Sequence, residues 1–429
     1  MSAERGIVNS SRSMQFSTDP CRRGTDAAPR VLFVDVASGP GGAERSLELL
    51  IRVLGPLGVR RALVGAGVVR PNHRAGDGWP RFRTLSFELR RRPGPVQAVS
   101  LLLRWLLGVL SVAAAVLRFQ PHVVHANTTA AALVSVLPAW WLRRRFIWHV
   151  RDLVPLGWLG RLLAKRASMV IAVSRSVRNS LVQQGTPAEK VTVITNGTDC
   201  PSLSAAEIDR ARRDLRERCG FPPSSFVYLN VGRHLAWKRQ DLFLDAAARL
   251  AVSCPRARFL MIGDESSGAR GCRLKLEEQA RRTGLSDRVR FWGRQDDVEA
   301  ILAGADVLVH TASREPFGRV LIEAMAVGVP VVAVRDAGPA EIIQPGISGL
   351  FAEPEDVDGL VAVMVRLERD PELRDRLRKG GRERVACEYT SDRVGREVCE
   401  VYRRVVAGLP GRSRNSWAVN RGICRHEVM

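Results

Sequence analysis

Lysine is almost missing from this chain. Of its 66 basic residues, only Lys165, Lys190, Lys238, Lys275 and Lys379 are lysines; the rest are arginines. Acidic residues number 44, leaving a formal charge of +22 that favours anionic partners: nucleic acid, acidic lipid or phosphorylated substrates. Paired cysteines are lacking as well. The eight cysteines form no C-x-x-C pair and show no metal-like spacing with histidine, so no metal site is expected and they read as reduced thiols of a cytosolic protein. Residues 1–28 hold no apolar core of signal-peptide length and are expected to be a disordered leader, with 411–429 a loose basic tail. There is no internal repeat and no sustained low-complexity segment. No nucleic-acid motif accompanies the dispersed arginines, so a nucleic-acid partner is not expected.

What is present is a globular composition, 45% hydrophobic and 26% charged over 429 residues, enough for two domains with separate cores. Buried strands alternate with helices throughout. Arg30 to Val36 is the first strand, and Ala37 to Glu44 is a glycine-rich loop before a helix expected over Arg45–Leu54. Arg60–Ala66, Phe82–Phe87, Phe146–Val150, Met169–Val173 and Val191–Ile194 read as further strands of a first domain, residues 29–200. Asn196-Gly197 is its closing turn. A second domain, 201–390, opens with the strand Ser225–Val231 and continues through Arg258–Ile262, Arg288–Trp292, Asp306–His310 and Val331–Val334. A last helix near Ser391 to Val405 lies within 391–410.

In parallel α/β sheets, ligands gather beyond the carboxyl ends of strands. Candidate groups fall there repeatedly: Gly41 and Gly42 after the first strand, His149 at the end of Phe146–Val150, and Arg233 with Lys238 after Ser225–Val231. Glu315 follows Asp306–His310, with Phe317 and Gly318 opening the helix that carries Glu323. Glycine loops and helix starts suit a phosphate, two cations can clamp a diphosphate, and carboxylates accept hydrogen bonds from sugar hydroxyls. Arg151 and Asp152 are weaker candidates beside His149. The triplet Asp356-Val357-Asp358 has the form of a metal motif but stands at a helix start, where capping is expected.

Glu315-Pro316-Phe317-Gly318 followed by Glu323-Ala324-Met325-Ala326 resembles the signature of retaining glycosyltransferases of family 4, with the GT-B fold; Gly41-Gly42-Ala43-Glu44 resembles their first loop. The resemblance covers Val31 to about Tyr402 and departs mildly at Thr195, where the family usually has proline. It implies two facing Rossmann-like domains around a deep cleft, and the last helix packing back on the first domain. It implies transfer of a hexosyl group from a nucleotide-diphospho-sugar, UDP- or GDP-linked, to an acceptor hydroxyl without a metal or tightly bound cofactor. Glu315 would then hold the donor sugar, Glu323 the ribose and His149 the sugar near the anomeric carbon. Arg233, Lys238 and amides near Gly42 and Gly318 would take the diphosphate, and Arg294 and Gln295 the base. A sugar-nucleotide epimerase or phosphorylase of the same fold, a nucleic-acid-binding protein and an inactive scaffold are the alternatives.

Val96 to Leu117 is the most apolar stretch, long enough to approach a bilayer span. Arg104 inside it and a sheet strand directly after it argue against spanning. A helix covering the sheet is expected, its outer face, with Trp105 and the flanking Arg90, Arg91 and Arg92, resting on anionic membrane. Trp140, Trp141, Arg143, Arg144 and Arg145 form a second aromatic–basic cluster. Peripheral contact with the cytoplasmic membrane face and a lipid-linked or cell-surface glycan acceptor, as in envelope or exopolysaccharide synthesis, are therefore expected.

Overall fold

The computed structural model describes residues 28–37, 39, 41–66, 78–87, 94–153, 155–265 and 271–409. The leader apart from residue 28, the arginines at 90–92 and the basic tail lie outside the described residues. The first strand, β1 (Arg30–Asp35), is buried on both faces. Leu32 and Val34 join one core cluster, and Val31 and Phe33 join another. A parallel strand covered by helices on both sides has this composition.

The chain continues through α1 (Gly42–Leu54), β2 (Arg60–Gly65), β3 (Arg81–Arg83) and α2 (Pro95–Phe119). It then alternates: β4 (Val123–Ala126), α3 (Thr129–Trp141), β5 (Arg145–Val150) and α4 (Gly157–Arg166). β6 (Met169–Ala172), α5 (Arg175–Gln183) and β7 (Val191–Val193) complete the lobe. Its sheet is parallel, in the order β3-β2-β1-β4-β5-β6-β7. Two boundaries differ from the pattern reading by more than one residue. α1 begins at Gly42 rather than Arg45, because the Arg45 amide already bonds the Gly41 carbonyl. The strand expected over Phe82–Phe87 pairs only at Arg81–Arg83, and beyond it the Phe87 amide donates to Val36.

The second lobe runs α6 (Ala205–Cys219), β8 (Phe226–Val231), α7 (Gln240–Ser253), β9 (Ala257–Ile262) and α8 (Cys272–Arg282). β10 (Val289–Trp292), α9 (Val298–Gly304), β11 (Val307–His310) and α10 (Arg319–Ala326) follow. Then come β12 (Val331–Val334), α11 (Ala337–Ile342), β13 (Leu350–Ala352), α12 (Val357–Arg369) and α13 (Pro371–Glu388). The sheet order is β10-β9-β8-β11-β12-β13, again parallel. Asp356 caps α12 by accepting from the Gly359 amide at 2.8 Å, and Asp358 pairs with Arg249. The Asp-x-Asp triplet is thus a helix start.

The last helix, α14 (Ser391–Val406), leaves the second lobe and packs against α1. Its Val398, Cys399 and Tyr402 enter the core made by Phe33, Leu47 and Ile147. Gly197 makes the crossing possible, since a Cβ there would stand 2.8 Å from the Ser391 Cα. The resulting architecture is the two-lobed α/β fold that the sequence motifs imply.

α2 does cover the sheet, through Val109, Val112, Ala115 and Val116. Much of its remaining apolar surface is open: Val96 is 83% exposed and Leu110 63%. Trp105 is a correction. It turns inward, packs on the core and donates Nε1–H to the Leu133 carbonyl at 3.1 Å.

Candidate functional site

Each sheet reverses its strand order once, between β1 and β4 and between β8 and β11. Crevices open at the carboxyl ends of such strands. Gly41 follows β1 and caps α1, with the carboxylate of Glu44 folded back over it. Arg233 and Lys238 follow β8, and Glu315 follows β11. The two lobes meet here. A Cβ on Gly42 would lie 3.4 Å from Arg319 Cδ, and Arg319 donates through Nη1 to the Ser46 hydroxyl.

The loop bearing Glu315 is fixed by its neighbours. Arg314 takes a left-handed conformation, φ +54°, and its amide donates to Asp336 Oδ2 at 2.6 Å. Gly318, at φ +97°, turns the chain into α10, which favours a residue without a Cβ. Glu315 accepts from Lys238 Nζ and lies 3.3 Å from His310 Nε2. Burial alone would raise its pKa, but Lys238 and then His310 hold it well below the usual carboxylate range. The Lys238 stem passes 3.6 Å from a Cβ position on Gly232, and its ammonium sits 4.3 Å from the Trp237 ring centre. Lys238 is thus engaged by Glu315. Arg233 is exposed and makes no hydrogen bond or ion pair with the described residues. Its charge acts across the gap on both Glu44 and Asp152 of the first lobe.

Glu323 does not stand alone either. Arg319 Nη2 approaches it at 2.6 Å and Arg45 Nε of the first lobe at 3.8 Å, so it anchors a contact between lobes. A second such contact was not visible in the sequence. Glu341 accepts from the amides of Arg175 and Ser176 at 2.8 and 2.7 Å, placing a second-lobe carboxylate on the start of α5.

His149 stands one residue before the end of β5 and is 3% exposed. Its Nδ1 lies 3.2 Å from His125 Nε2 and 3.4 Å from Arg151 Nη2. Tyr402 Oη stands 2.8 Å from His125 Nδ1. An arginine can only donate, so His149 Nδ1 accepts and its proton sits on Nε2. The relay then reads Tyr402 O–H to His125, and His125 N–H to His149. It leaves His149 Nε2–H as a buried donor with no partner among the described residues. Burial, then Arg151 and His125, lower the His149 pKa far enough to keep it neutral.

Around it lie Arg151, one of the weaker sequence candidates, and groups that sequence reasoning passed over. Asp35 accepts from Asn127 Nδ2 at 2.7 Å, and Asn127 Oδ1 accepts from Arg151 Nε at 3.0 Å. Arg151 also donates to Asn196 at 2.6 Å; burial brings it down to about 10, so it stays charged. Glu44 is pushed up to about 7 by burial and then by Asp35. Asp35 and Glu44 end and follow the first strand, which was their available signal.

Three candidates sit differently from the others. The Phe317 ring is 4% exposed and stacks edge-on to Tyr389, so it is a packing residue whose side chain faces the lobe interior. Arg294 follows β10 at the sheet edge, its amide donating to Asp264 and its guanidinium 3.3 Å from Asp296. Gln295 bonds the Gly293 and Arg294 carbonyls there.

Residues 40–201 match the family model described as Glycosyltransferase Family 4, and residues 211–384 the model described as Glycosyl transferases group 1. The chain is 31% identical over 221 residues to the lipopolysaccharide core biosynthesis glycosyltransferase LpsE of Rhizobium meliloti, covering 52% of this chain and 59% of that protein. It is 27% identical over 242 residues to the N-acetyl-alpha-D-glucosaminyl L-malate synthase of Bacillus anthracis, covering 56% and 61%. The matched segment therefore spans about three-fifths of the length of these relatives. Anabaena HepE, solved in complex with UDP and glucose, superposes with a TM-score of 0.73 at 25% identity, covering 86% of this chain and 98% of that one. Sucrose-phosphate synthase of Thermosynechococcus elongatus shares the fold, with a TM-score of 0.71 at 21% identity over 89% and 100% of the two chains.

Proposed function

The chain belongs to the family 4 glycosyltransferases of GT-B fold, and from that premise we propose that it moves a hexosyl group from a UDP- or GDP-sugar to an acceptor hydroxyl with retention of configuration. The carrying observation is the meeting, at the switch points of two sheets, of a free arginine, a lysine–glutamate pair and two helix starts. Departure of the nucleotide leaves growing negative charge on its diphosphate. Arg233, Lys238 and the amides behind Gly42 and Gly318 take that charge without needing a metal ion, and losing one such contact typically costs about 2.7–4 kcal/mol. Glu315 aims Lys238 and receives a sugar hydroxyl, and Glu323 receives the ribose. His149, neutral and with Nε2–H unpaired, donates to the sugar beside the reacting carbon. Retention follows by front-face displacement, the leaving phosphate taking the acceptor proton. The HepE complexes with UDP and UDP-glucose favour a UDP donor.

The acceptor in this reading is a lipid-linked glycan of envelope synthesis, met with the protein resting on anionic membrane. α2, α3 and α4 form one layer over the first sheet, and the surface of that layer is apolar and basic. Leu103 and Leu110 on α2, Trp140 and Trp141 on α3 and Trp158 on α4 are each more than half exposed. Arg166 stacks 4.3 Å over Trp140. Tryptophan beside arginine suits the headgroup zone.

A thermal-shift panel of sugar nucleotides tests the donor site. One UDP- or GDP-sugar should stabilise the wild type, and Arg233→Ala and Lys238→Ala should abolish the effect. Undiminished stabilisation in both variants would overturn the assignment. Flotation with vesicles should recover the protein on phosphatidylglycerol-containing lipid, and Leu103→Asp with Leu110→Asp should release it. Equal recovery on neutral lipid refutes the electrostatic part.

A further inference from the structure

At the opposite end of the second sheet, where its strands begin, lies a cavity of about 730 Å³. Phe226 opens β8 there, and Asp306 stands at the foot of β11. Six arginines line it: Arg212, Arg213 and Arg216 of α6, Arg256 before β9, and Arg374 and Arg378 of α13. Three carboxylates share the walls, so positive charge dominates. Asp306 is consumed by Arg216 at 2.6 Å, with Arg212 at 4.0 Å. Arg378 pairs with Asp375, outside the lining, at 2.6 Å.

The walls retain unused donors. Ser225 is 4% exposed and its hydroxyl has no partner among the described residues; the same is true of the buried Arg212 Nε. Arg213 makes no hydrogen bond or ion pair with the described residues. Arg374 lies 5.3 Å over the Phe226 ring with two backbone carbonyls as its acceptors. Like charges gathered around a concave space repel one another, and an anion in that space relieves the repulsion. Guanidinium forks match phosphate oxygens bidentately. The volume is that of ordinary small-molecule sites, roughly 300–1,000 Å³.

We infer that this cavity binds a soluble metabolite carrying two phosphate groups, of sugar-bisphosphate size, at a site separate from the cleft. The inference does not depend on the transfer reaction proposed above. β11 joins the two places. Its four residues rise from Asp306 to His310, which faces Glu315, a span of roughly 13 Å.

The test uses the full chain and fructose 1,6-bisphosphate as the probe in thermal unfolding, with potassium chloride at matched ionic strength as control. A saturable rise in Tm is expected, retained in the cleft variant Arg233→Ala/Lys238→Ala. In Arg213→Glu/Arg378→Glu the apparent affinity should fall by at least roughly tenfold. Arg213→Ala, a single change on an exposed face of α6, supplies a folded variant that should fall in the same direction. The inference fails if potassium chloride reproduces the shift, if no saturable shift occurs, or if the shift disappears in the cleft variant and persists in the pocket variants.

Discussion

Glu44 is a carboxyl group held at the start of α1, buried to 8% exposure, with Asp35 as its close anionic neighbour. Burial first, and then Asp35, push its pKa from 4.5 to about 7. The folded state therefore binds a proton here more tightly than the unfolded chain does. The sign follows: well below pH 4.5 both states are protonated and the group is neutral to stability. As pH rises toward 7 the unfolded chain ionises first, and folding loses stability until both are ionised. The shift, converted at 1.36 kcal/mol per unit, gives a loss of about 3 kcal/mol above pH 8. Glu44→Gln keeps the shape and removes the charge. Urea unfolding of wild type and variant, followed by tryptophan fluorescence, should give stabilities that differ by less than about 1 kcal/mol at pH 5. At pH 8 the variant should be more stable by about 2–3 kcal/mol. Parallel stability profiles from pH 5 to 8 would refute the burial argument. A variant less stable at pH 8 would show that the charge is compensated by Arg151 and Arg233 instead.

Other expectations follow from the same geometry. Tyr402→Phe removes the first donor of the histidine relay and should cost about 1 kcal/mol in stability. It should lower kcat with KM little changed and shift the His149 imidazole nitrogen resonances; an unmoved imidazole spectrum would make Tyr402 merely a packing residue. Lys238→Ala leaves Glu315 uncompensated and should destabilise the second lobe by about 3 kcal/mol, largely recovered by adding Glu315→Gln. Failure of the second change to rescue stability would show that the pair is not the cause. Glu341→Gln weakens the contact with α5 and should increase the radius of gyration in small-angle scattering; an unchanged radius would mean the remaining contacts suffice to hold the lobes together.

Local signals and tertiary ones were unequally legible. The apolar runs, the glycine turns and the motif around Glu315 located most strands and the positions of Gly42, His149, Arg233 and Glu315 at or just beyond strand ends. What those residues touch was not legible. That Lys238 is spent on Glu315 depends on how the loops after β8 and β11 pack within the second lobe, and that Glu323 also meets Arg45 depends on how the lobes close. Arg319 nevertheless stands four residues before Glu323, a spacing that foretells a helical ion pair. Phe317 lies inside the motif, but no pattern tells which way one ring points. Trp105 was readable in retrospect. With Val109, Val112 and Val116 it forms a stripe at helical spacing, obscured because α2 is apolar almost all round. Glu44 and Asp35 escaped because a carboxyl after a strand looks solvated until its neighbours are known.

The path of α14 has a consequence for dissecting the protein. Val398, Cys399 and Tyr402 complete the hydrophobic interior of the N-terminal half, although more than 180 residues separate them from its last strand. A fragment ending near Pro201 would therefore expose an apolar seat and leave His125 without its hydroxyl neighbour. Expressed by itself it should aggregate, and a synthetic peptide covering 391–406 should restore its solubility in trans. The two halves are thus interdependent in their folding as well as in the site they share.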